Sequence, residues 1–348
     1  MRKVLLLLPC LFLSILLNAQ EDEVTERYGE KVLVDGLSYY IDKTDNTAMI
    51  ANGNQWTGEL DIPEQIAIEG ETYTVTRILW LAFDRCSTLT RVRIPKTVSE
   101  IKHYAGWEDC KNPFNGCTSL EAIEVDGDNP WMSSENGVLF NKDKTRLFCY
   151  PAGAGRETYR VPESVSWIGM NAFACNPYLI SVHIPNSVTR MCGGTFCGCK
   201  KLSSVSLPDN IHHIDAYTFD RCESLSFLDI PASVEGFSES VFRWSSIKIL
   251  VIRGTFPNGL RDDTFYFVNS EAVAYVLPSE IEKFEKVFPG TVLPLDEYLT
   301  DIDNPVSGYI NSFPTYDLQG RQLPDSEWSN SRMSKGIYIR DGRKVVVK

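Results

Sequence analysis

The feature of this sequence that most restricts its fold is a motif that recurs every 23 residues through the middle of the chain. Phenylalanine, leucine, and an apolar residue followed by proline all return at this interval. The positions are Phe173, Phe196, Phe219 and Phe242; Leu179, Leu202 and Leu225; and Ile184-Pro185, Leu207-Pro208 and Ile230-Pro231. They define the frame V-x-x-I-x4-F-x-x-C-x-x-L-x-x-V-x-I-P. A period of about 20 to 50 residues indicates stacked units that bury their apolar rows against one another.

Modified copies extend the array in both directions. Two earlier copies contain Phe83 and Phe114, which are 31 residues apart, so one copy carries eight extra residues around YAGWEDCKN. A longer insertion, residues 126–158, contains GVLFNKDKTRLFCYP, two short apolar runs about a charged turn that predict a β-hairpin. The copy with Phe242 needs a one-residue deletion before Leu250. Half-copies, LDIP and YVLP, flank the array and predict closed ends.

The V-x-I-P segment of each copy alternates apolar and polar residues, which predicts a strand with one buried face. Proline ends this strand because it has no N–H group for the ladder. Stacked strands lie about 4.8 Å apart and display their outward residues as columns on one broad face. This face, from basic through small polar to apolar residues, is the predicted surface for a partner.

The candidate partner-binding residues are the outward positions of these strands and one nearby tryptophan. They are Arg91, Arg93, Arg160, His183, Phe227, Asp229, Trp244, Ile249 and Val251. One interpretation is that Phe227, Trp244, Ile249 and Val251 form an apolar patch for a protein partner. The alternative is that residues 255–300 fold back and cover them, which the solvent exposure of Ile249 and Val251 decides.

The stretch FCGCKKLSSVSLPDNIHHIDAYTFDRC gathers three cysteines and two histidines, which are ligand types that zinc prefers. Cys199 and Cys222, however, share one position of the frame with Cys86 and Cys117, which predicts a buried column of thiols. The two histidines, at positions 212 and 213, belong to a different strand. Opposed layers lie about 10 Å apart, whereas zinc needs its ligands at about 2.0 to 2.3 Å. We therefore predict no metal site.

Three cysteines lie off this column, and they are the better candidates for a disulfide bridge. They are Cys110, Cys192 and Cys197, and the alternative for each is a free, partly buried thiol. Cys175 follows Phe173 by two residues instead of three and does not fit the frame.

Residues 1–19 have the features of a secretory signal peptide. Arg2 and Lys3 precede the apolar run VLLLLPCLFLSILL, and the small residue Ala19 follows. The run is shorter than the roughly 20 residues that a membrane-spanning helix needs. We therefore predict that this segment is cleaved and that the mature chain does not insert into a membrane. A retained membrane anchor is the alternative. Without these two cations the net charge changes from −12 to about −14, which repels nucleic acid and anionic membranes.

With this frame, the chain resembles the BspA-like leucine-rich-repeat proteins over about residues 32–295. GLSYYIDKTDNTAMIANGNQWTGELDIPE is similar to that group's N-terminal cap, and NPWMSSENGVLFNKDKTRLFCYP is similar to its recurrent insertion. The resemblance implies an elongated right-handed solenoid on the cell surface or secreted, with roles in adhesion to host or bacterial macromolecules. It carries over no ligand residues, because the shared motif consists of core and turn positions.

The C-terminal tail resembles the sorting domain of the type IX (Por) secretion route in its elements YDLQGR, GIYI and KVVVK. The resemblance implies an export address and not a part of the binding surface. TYDLQGRQL and KGIYIRDGRKVVVK predict short strands, and Asp341-Gly342 is a hairpin turn dipeptide. A plain terminal β-hairpin module is the alternative.

The sequence contains no nucleophile elbow, phosphate loop, HExxH or dinucleotide motif, and its four histidines are scattered. DGDNP and DIDNP lack the spaced loop and closing glutamate of a calcium site. We therefore predict a non-catalytic protein without cofactors that binds extracellular proteins or glycoproteins. The alternatives are carbohydrate capture by exposed tryptophans and, more remotely, an enzyme with an unrecognised site. The tryptophans in question are Trp56, Trp80, Trp107 and Trp167.

The predicted fold is mainly β, a leucine-rich-repeat solenoid with 23-residue coils and a small C-terminal all-β module. Its predicted segments are a signal peptide at 1–19, an N-terminal cap at 20–74, the solenoid at 75–254, a C-terminal cap at 255–300 and the sorting-domain-like module at 301–348.

Overall fold

The computed structural model describes residues 31–53, 55–103 and 112–298, together with the backbone of four strands in the tail. The predicted signal peptide lies outside the described residues, as do Trp107, Cys110 and the Asp341-Gly342 turn. The described chain is mainly β, and its longest regular helix is the single turn Ile281–Glu285, preceded by the 3-10 turn Pro278–Glu280.

One side of the repeat array consists of the predicted V-x-I-P strands, and we call it the strand face. Its strands pair in parallel within three successive sheets. They are Gly58–Asp61, Leu89–Ile94 and Ala122–Val125; Thr158–Arg160, Ser181–His183 and Ser204–Ser206; and Phe227–Ile230, Ile249–Ile252, Val273–Val276 and Thr291–Pro294.

A second set of strands, the opposite face, comes mainly from the V-x-x-I part of the copies and also pairs in parallel. These strands are Thr47–Asn52, Glu71–Leu79 and Glu100–Lys102; Arg146–Cys149, Trp167–Ile168 and Arg190–Met191; and His213–Ile214 and Gly236–Phe237. Antiparallel strands extend two of the sheets at Val32–Val34, Leu37–Asp42 and Gln65–Ile68, and at Met132–Glu135 and Val138–Asn141.

Strand registers follow the spacing of the motif. On the strand face Ser181 lies opposite Ser204, and on the opposite face Trp167 lies opposite Arg190, in both cases 23 positions apart. Phe227 lies opposite Ile249, 22 positions on, as the one-residue deletion in the last copy requires. Equivalent side chains therefore stack on one another along the array.

The core is built around a column of aromatic rings, one from each repeat. Successive rings lie 5.2 to 5.8 Å apart between centroids. The contacting pairs are Phe83–Phe114, Tyr150–Phe173, Phe173–Phe196, Phe196–Phe219, Phe219–Phe242 and Phe242–Phe265. Tyr150 thus takes the phenylalanine position in the insertion, and Phe265 adds a ring beyond the last predicted copy.

The predicted column of buried thiols is confirmed. Cys86, Cys117, Cys199 and Cys222 are all at most 2% exposed. The Sγ atoms of Cys199 and Cys222 donate to the carbonyl oxygens of Phe173 and Phe196 in the preceding repeat, at 3.1 and 3.3 Å. These two thiols therefore link successive repeats through main-chain carbonyl groups inside the core.

The misfit of Cys175 has a physical explanation, because the next residue, Asn176, occupies the thiol position. Asn176 is 1% exposed, and its Oδ1 accepts from the N–H groups of Tyr178 and Leu179. Cys175 itself has a left-handed backbone with φ of 58°. The residue two positions after the phenylalanine is left-handed in every described copy, at Arg85, Gly116, Cys175, Gly198, Arg221, Trp244 and Phe267.

The predicted hairpin in the insertion is confirmed, since Val138–Asn141 pairs antiparallel with Arg146–Cys149. Arg146–Cys149 then pairs in parallel with Trp167–Ile168, so the hairpin supplies one strand of the opposite face. In the tail, Gly336–Arg340 pairs antiparallel with Arg343–Val347 and with Thr315–Asp317. Gln322–Leu323 pairs with the other edge of Thr315–Asp317.

Candidate partner-binding face

The first third of the strand face carries Arg91 and Arg93, which the sequence presents as its basic end. Both arginines contact Glu124 on the next strand, and Arg93 also donates to Asp61 at 2.8 Å. Glu59 approaches both guanidinium groups at 3.6 and 3.7 Å. The prediction of a basic end is therefore wrong, because three carboxylates neutralise two arginines.

These hydrogen bonds also change the pKa of the Glu124 carboxyl group. The bonds from Arg93 and then Arg91 hold the pKa of the Glu124 carboxyl below its ordinary value. A carboxylate of a partner would therefore compete with Glu124 and Asp61 for these arginines.

The middle third of the strand face is polar and open. It consists of Thr158–Arg160, Ser181–His183 and Ser204–Ser206, whose outward residues are Thr158, Arg160, Ser181, His183, Ser204 and Ser206. Arg160 is exposed, and no carboxylate pairs with it in the described part of the chain. Burial and the nearby Arg160 lower the pKa of His183, against an opposing effect of Glu163, so His183 is neutral at neutral pH.

A depression of about 110 Å³ lies beside Arg160, between the strand face and the insertion hairpin. Its lining residues are Glu135, Asn136, Phe140, Tyr159, Arg160 and Pro162. Glu135 is already paired with Lys144, and Arg156 donates to the carbonyl oxygen of Asn136 at 3.1 Å. Arg160 therefore lines a depression whose one carboxylate is already neutralised, and Arg156 is bound to another of its lining residues, Asn136.

The last third of the strand face carries the predicted apolar patch, and there the structure decides between the two interpretations. Val251 is fully buried, which favours the alternative in which residues 255–300 fold back over the patch. The ring of Tyr298 contacts Phe227 at 6.5 Å and Tyr275 at 5.2 Å, one residue on each side of the strand Ile249–Ile252. The C-terminal segment thus covers this strand, and Ile249 is only partly exposed.

Asp229, also on this third, is held by a neighbouring cation. Arg253 donates to both carboxylate oxygens of Asp229, at 2.7 and 2.8 Å. Like Arg91 and Arg93, this candidate residue is already paired within the chain.

Trp244 does not join the strand face. It occupies the left-handed position after Phe242 and stacks on Phe267 with ring centroids 4.1 Å apart. Tyr266 lies against Phe267, and all three rings are about half exposed. Trp244 therefore belongs to a separate aromatic cluster at the turns of the array.

The described tryptophans that were proposed for sugar stacking contact other groups of the chain. Trp167 is 7% exposed and packs edge-on against Phe148, so its expected exposure is wrong. The indole N–H of Trp56 donates to the carbonyl oxygen of Glu59 at 3.0 Å, and Trp80 packs on His103. The half-exposed tryptophans of the described chain are Trp131 and Trp244.

The cysteine and histidine stretch does not converge on one point. The thiols lie in the buried column, whereas His213 lies on the opposite face in the strand His213–Ile214. Within the described ranges, no three histidine, cysteine, aspartate or glutamate side chains come close enough to hold a metal ion. These ranges also contain no helix of the length and hydropathy needed to span a membrane.

His213 has a serine and an aspartate nearby, which invites comparison with a catalytic triad. Its Nε2 lies 2.9 Å from Ser238 Oγ and 3.9 Å from Asp215 Oδ1. A triad needs the serine and the carboxylate on opposite ring nitrogens, so that the carboxylate orients the base. Both partners here approach the same nitrogen at an exposed position, and this arrangement does not activate the serine.

Stacked parallel strands on two faces, around columns of aromatic rings, leucines and thiols, define a leucine-rich-repeat protein. The chain belongs to the family described as BspA type leucine-rich repeat region. The family model matches residues 64–129 and 156–287 in six copies. No curated protein sequence matches the chain.

Solved structures of bacterial leucine-rich-repeat proteins are also similar to the chain. The pneumococcal vaccine antigen PcpA is 16% identical and matches 77% of this chain and 99% of its own, with a TM-score of 0.45. A leucine-rich cell surface protein from Faecalibacterium prausnitzii is 16% identical, with coverage of 75% and 98% and a TM-score of 0.45. A leucine-rich repeat protein from Bacteroides ovatus is 17% identical, with coverage of 75% and 76% and a TM-score of 0.39.

Proposed function

We propose that this chain is an exported, non-catalytic leucine-rich-repeat protein that binds host or bacterial macromolecules through the middle third of its strand face. In this proposal it is a right-handed solenoid of 23-residue coils, its first 19 residues are a cleaved signal peptide, and it works at the cell surface or in the medium. Membership of the BspA type family and the features of a signal peptide support the proposal.

The observation that carries the choice of surface is the contrast between the three thirds of the strand face. Carboxylates hold Arg91 and Arg93 at one end, and Tyr298 covers the other end. Between them, Arg160 offers an exposed guanidinium beside a row of serine hydroxyls. A partner can use these donors without breaking existing ion pairs or displacing a covering segment.

The chemistry of this surface favours a partner with a carboxylate or another anionic group. A guanidinium binds a carboxylate through two parallel hydrogen bonds, and a second cation, Arg156, is bound to Asn136 in the lining of the depression beside Arg160. An acidic side chain of a protein partner fits this environment. Since the whole chain is acidic, with a net charge of −12, long-range attraction would not by itself bring such a partner.

Charge reversal at Arg160 tests the proposed surface. The full chain, carrying Arg160→Glu, is used to capture proteins from host and bacterial extracts beside the unchanged chain. Arg190→Glu is the matched control, because Arg190 is an exposed arginine on the opposite face. We expect the captured amount of each specific partner to fall at least about tenfold with Arg160→Glu and to stay unchanged with Arg190→Glu. Equal capture by both variants would contradict the proposed surface.

Export is tested separately by fractionation of cells that express the full chain. We expect the mature protein in the outer membrane or the medium, with its N-terminus at residue 20, and the tail as the sorting signal. Removal of residues 301–348 would then leave the protein in the periplasm. Protein that stays in the cytoplasm with residues 1–19 attached would contradict export.

A further inference from the structure

Two partly exposed cysteines of successive repeats lie side by side next to the aromatic column. The backbone N–H of Cys175 donates to the carbonyl oxygen of Cys197 at 2.7 Å. The bond is one rung of a ladder that joins four of the left-handed residues to the next repeat. Equivalent rungs are Arg85–Asn115, Gly198–Asp220 and Arg221–Arg243. Among these described rungs, Cys175–Cys197 alone carries a thiol at both positions.

The hydrogen bond limits the distance between the two Cα atoms. The Cα–Cα distance cannot exceed the sum of the N–Cα bond of Cys175, the 2.7 Å hydrogen bond and the O···Cα separation within Cys197, which is about 6.6 Å. Disulfide-bonded cysteines have Cα separations of about 4.4 to 6.8 Å. The backbone is therefore already within the range of a bridge.

A bridge then requires only a rotation of the Cys197 side chain toward Cys175. Cys175 Sγ lies 3.4 Å from the place that a Cβ on Gly198 would occupy, so this thiol reaches across to the residue next to Cys197. Cys197 Sγ makes one long hydrogen bond, 3.7 Å, to Asp220 Oδ2. Asp220 keeps both of its hydrogen bonds from Arg243 when Cys197 turns away.

We propose that Cys175 and Cys197 form a disulfide that links two successive repeats when the chain meets a small-molecule disulfide such as oxidised glutathione. One cysteine thiol attacks the disulfide of the oxidant, which forms a mixed disulfide and releases the first small-molecule thiol. The other cysteine thiol then attacks the mixed disulfide, which forms the bridge and releases the second small-molecule thiol. The chain loses two protons and two electrons, and the oxidant becomes two thiols. The buried column thiols of Cys199 and Cys222 do not take part.

Burial makes the reaction depend on pH. It raises the pKa of both thiols, that of Cys197 to about 12, with Asp220 as a further cause for Cys197. The thiolate is the reacting form, so the rate of bridge formation rises as the pH is raised from 7 to 9.

Mass spectrometry tests the proposal on the full chain, after reduction and then incubation with oxidised glutathione at pH 8.5. We expect a mass loss of about two daltons, one linked pair in the peptide map, and a higher thermal midpoint for the oxidised protein. Cys175→Ser and Cys197→Ser should each abolish the bridge and the shift in midpoint. Cys222→Ser, in the buried column, should retain the Cys175–Cys197 link.

Three results would overturn the proposal. These are glutathione adducts without an internal link, a bridge to another cysteine, and alkylation of both thiols after oxidation. The peptide map of the unchanged chain decides among them even where a serine variant folds poorly.

Discussion

The ring of Phe219 lies between the rings of Phe196 and Phe242, 5.8 Å from each and tilted by only 9°. It is fully buried and shares its repeat with Leu225 and Cys222, which are buried as well. Such a ring contributes through the area it removes from water and through the neighbours it keeps in register. Its loss affects three repeats at once.

Phe219→Ala should therefore lower the free energy of unfolding by about 3 to 5 kcal/mol, because it leaves a cavity between two rings. Phe267→Ala is the matched control, since Phe267 is 47% exposed, and it should lower this free energy by about 1 kcal/mol or less. Denaturant unfolding measures both values. Similar losses for the two variants would contradict the assigned burial.

At the level of secondary-structure elements, one buried asparagine fastens the insertion to the preceding repeat. The Nδ2 atom of Asn129 donates to the carbonyl oxygens of Pro95 and Val98, each at 2.9 Å. Its Oδ1 accepts from the N–H groups of Trp131 and Met132, also at 2.9 Å. The side chain is fully buried, so water cannot replace these bonds.

Asn129→Ala should lower the free energy of unfolding by about 2 to 4 kcal/mol, because it leaves buried donors and acceptors without partners. The matched control is Asn210→Ala, which removes an exposed amide with one bond to the carbonyl oxygen of Asn186 and should cost below about 1 kcal/mol. Chemical denaturation compares the two. A small effect of Asn129→Ala would mean that the insertion is held in another way.

The strands of the first third are joined by ion pairs, and these predict a dependence on acid. The pKa of Glu124 is below its ordinary value of 4.5 in the folded chain, so its contribution to stability is fully present above pH 4.5. It is lost as the pH falls through the lowered pKa. Glu124→Gln should cost less than about 1 kcal/mol at pH 7, because the pair is largely exposed, and less near pH 2. Unfolding curves at both values check this, and a difference that grows in acid would contradict it.

The same elements show which features the sequence can predict. Phe196, Cys199 and the hairpin at Val138–Asn141 were predictable, because burial and spacing along the chain decide them. The neutralised charge of Arg93 was not, since Asp61 and Glu124 lie about 30 residues away and meet it only through strand register. The sequence left the exposure of Val251 open, because alternation places it outward and only the three-dimensional structure shows that a distant segment covers it.

The left-handed turns gave no usable signal in the sequence. The position two residues after the phenylalanine holds glycine in two described repeats but arginine, cysteine, tryptophan or phenylalanine in others. Left-handed backbone is costly for these larger residues, by about 1 kcal/mol or more. At Arg85, Cys175, Gly198 and Arg221 a main-chain bond to the next repeat fixes the turn, whichever side chain it carries.

For the whole molecule, the ends of the array determine which part of the strand face is open. At the C-terminal end the core ring Phe284 lies in the helix Ile281–Glu285 and contacts Phe256 and Phe265. Phe284 is fully buried, so this helix closes the aromatic column. The chain then returns over the strand face at Tyr298.

Tyr298→Ala should uncover the last third of the strand face, because Tyr298 bridges Phe227 and Tyr275 across the strand Ile249–Ile252. We expect stronger binding of a hydrophobic dye and a loss of about 1 to 3 kcal/mol in unfolding free energy. Tyr266→Ala, which removes a tyrosine that is 54% exposed, is the control. It should change neither the dye binding nor the unfolding free energy strongly. Dye fluorescence and denaturant unfolding test this, and unchanged dye binding in Tyr298→Ala would show that other residues cover the patch. Capture that depends on Arg160 should persist in Tyr298→Ala, since the middle third of the face is not under this ring.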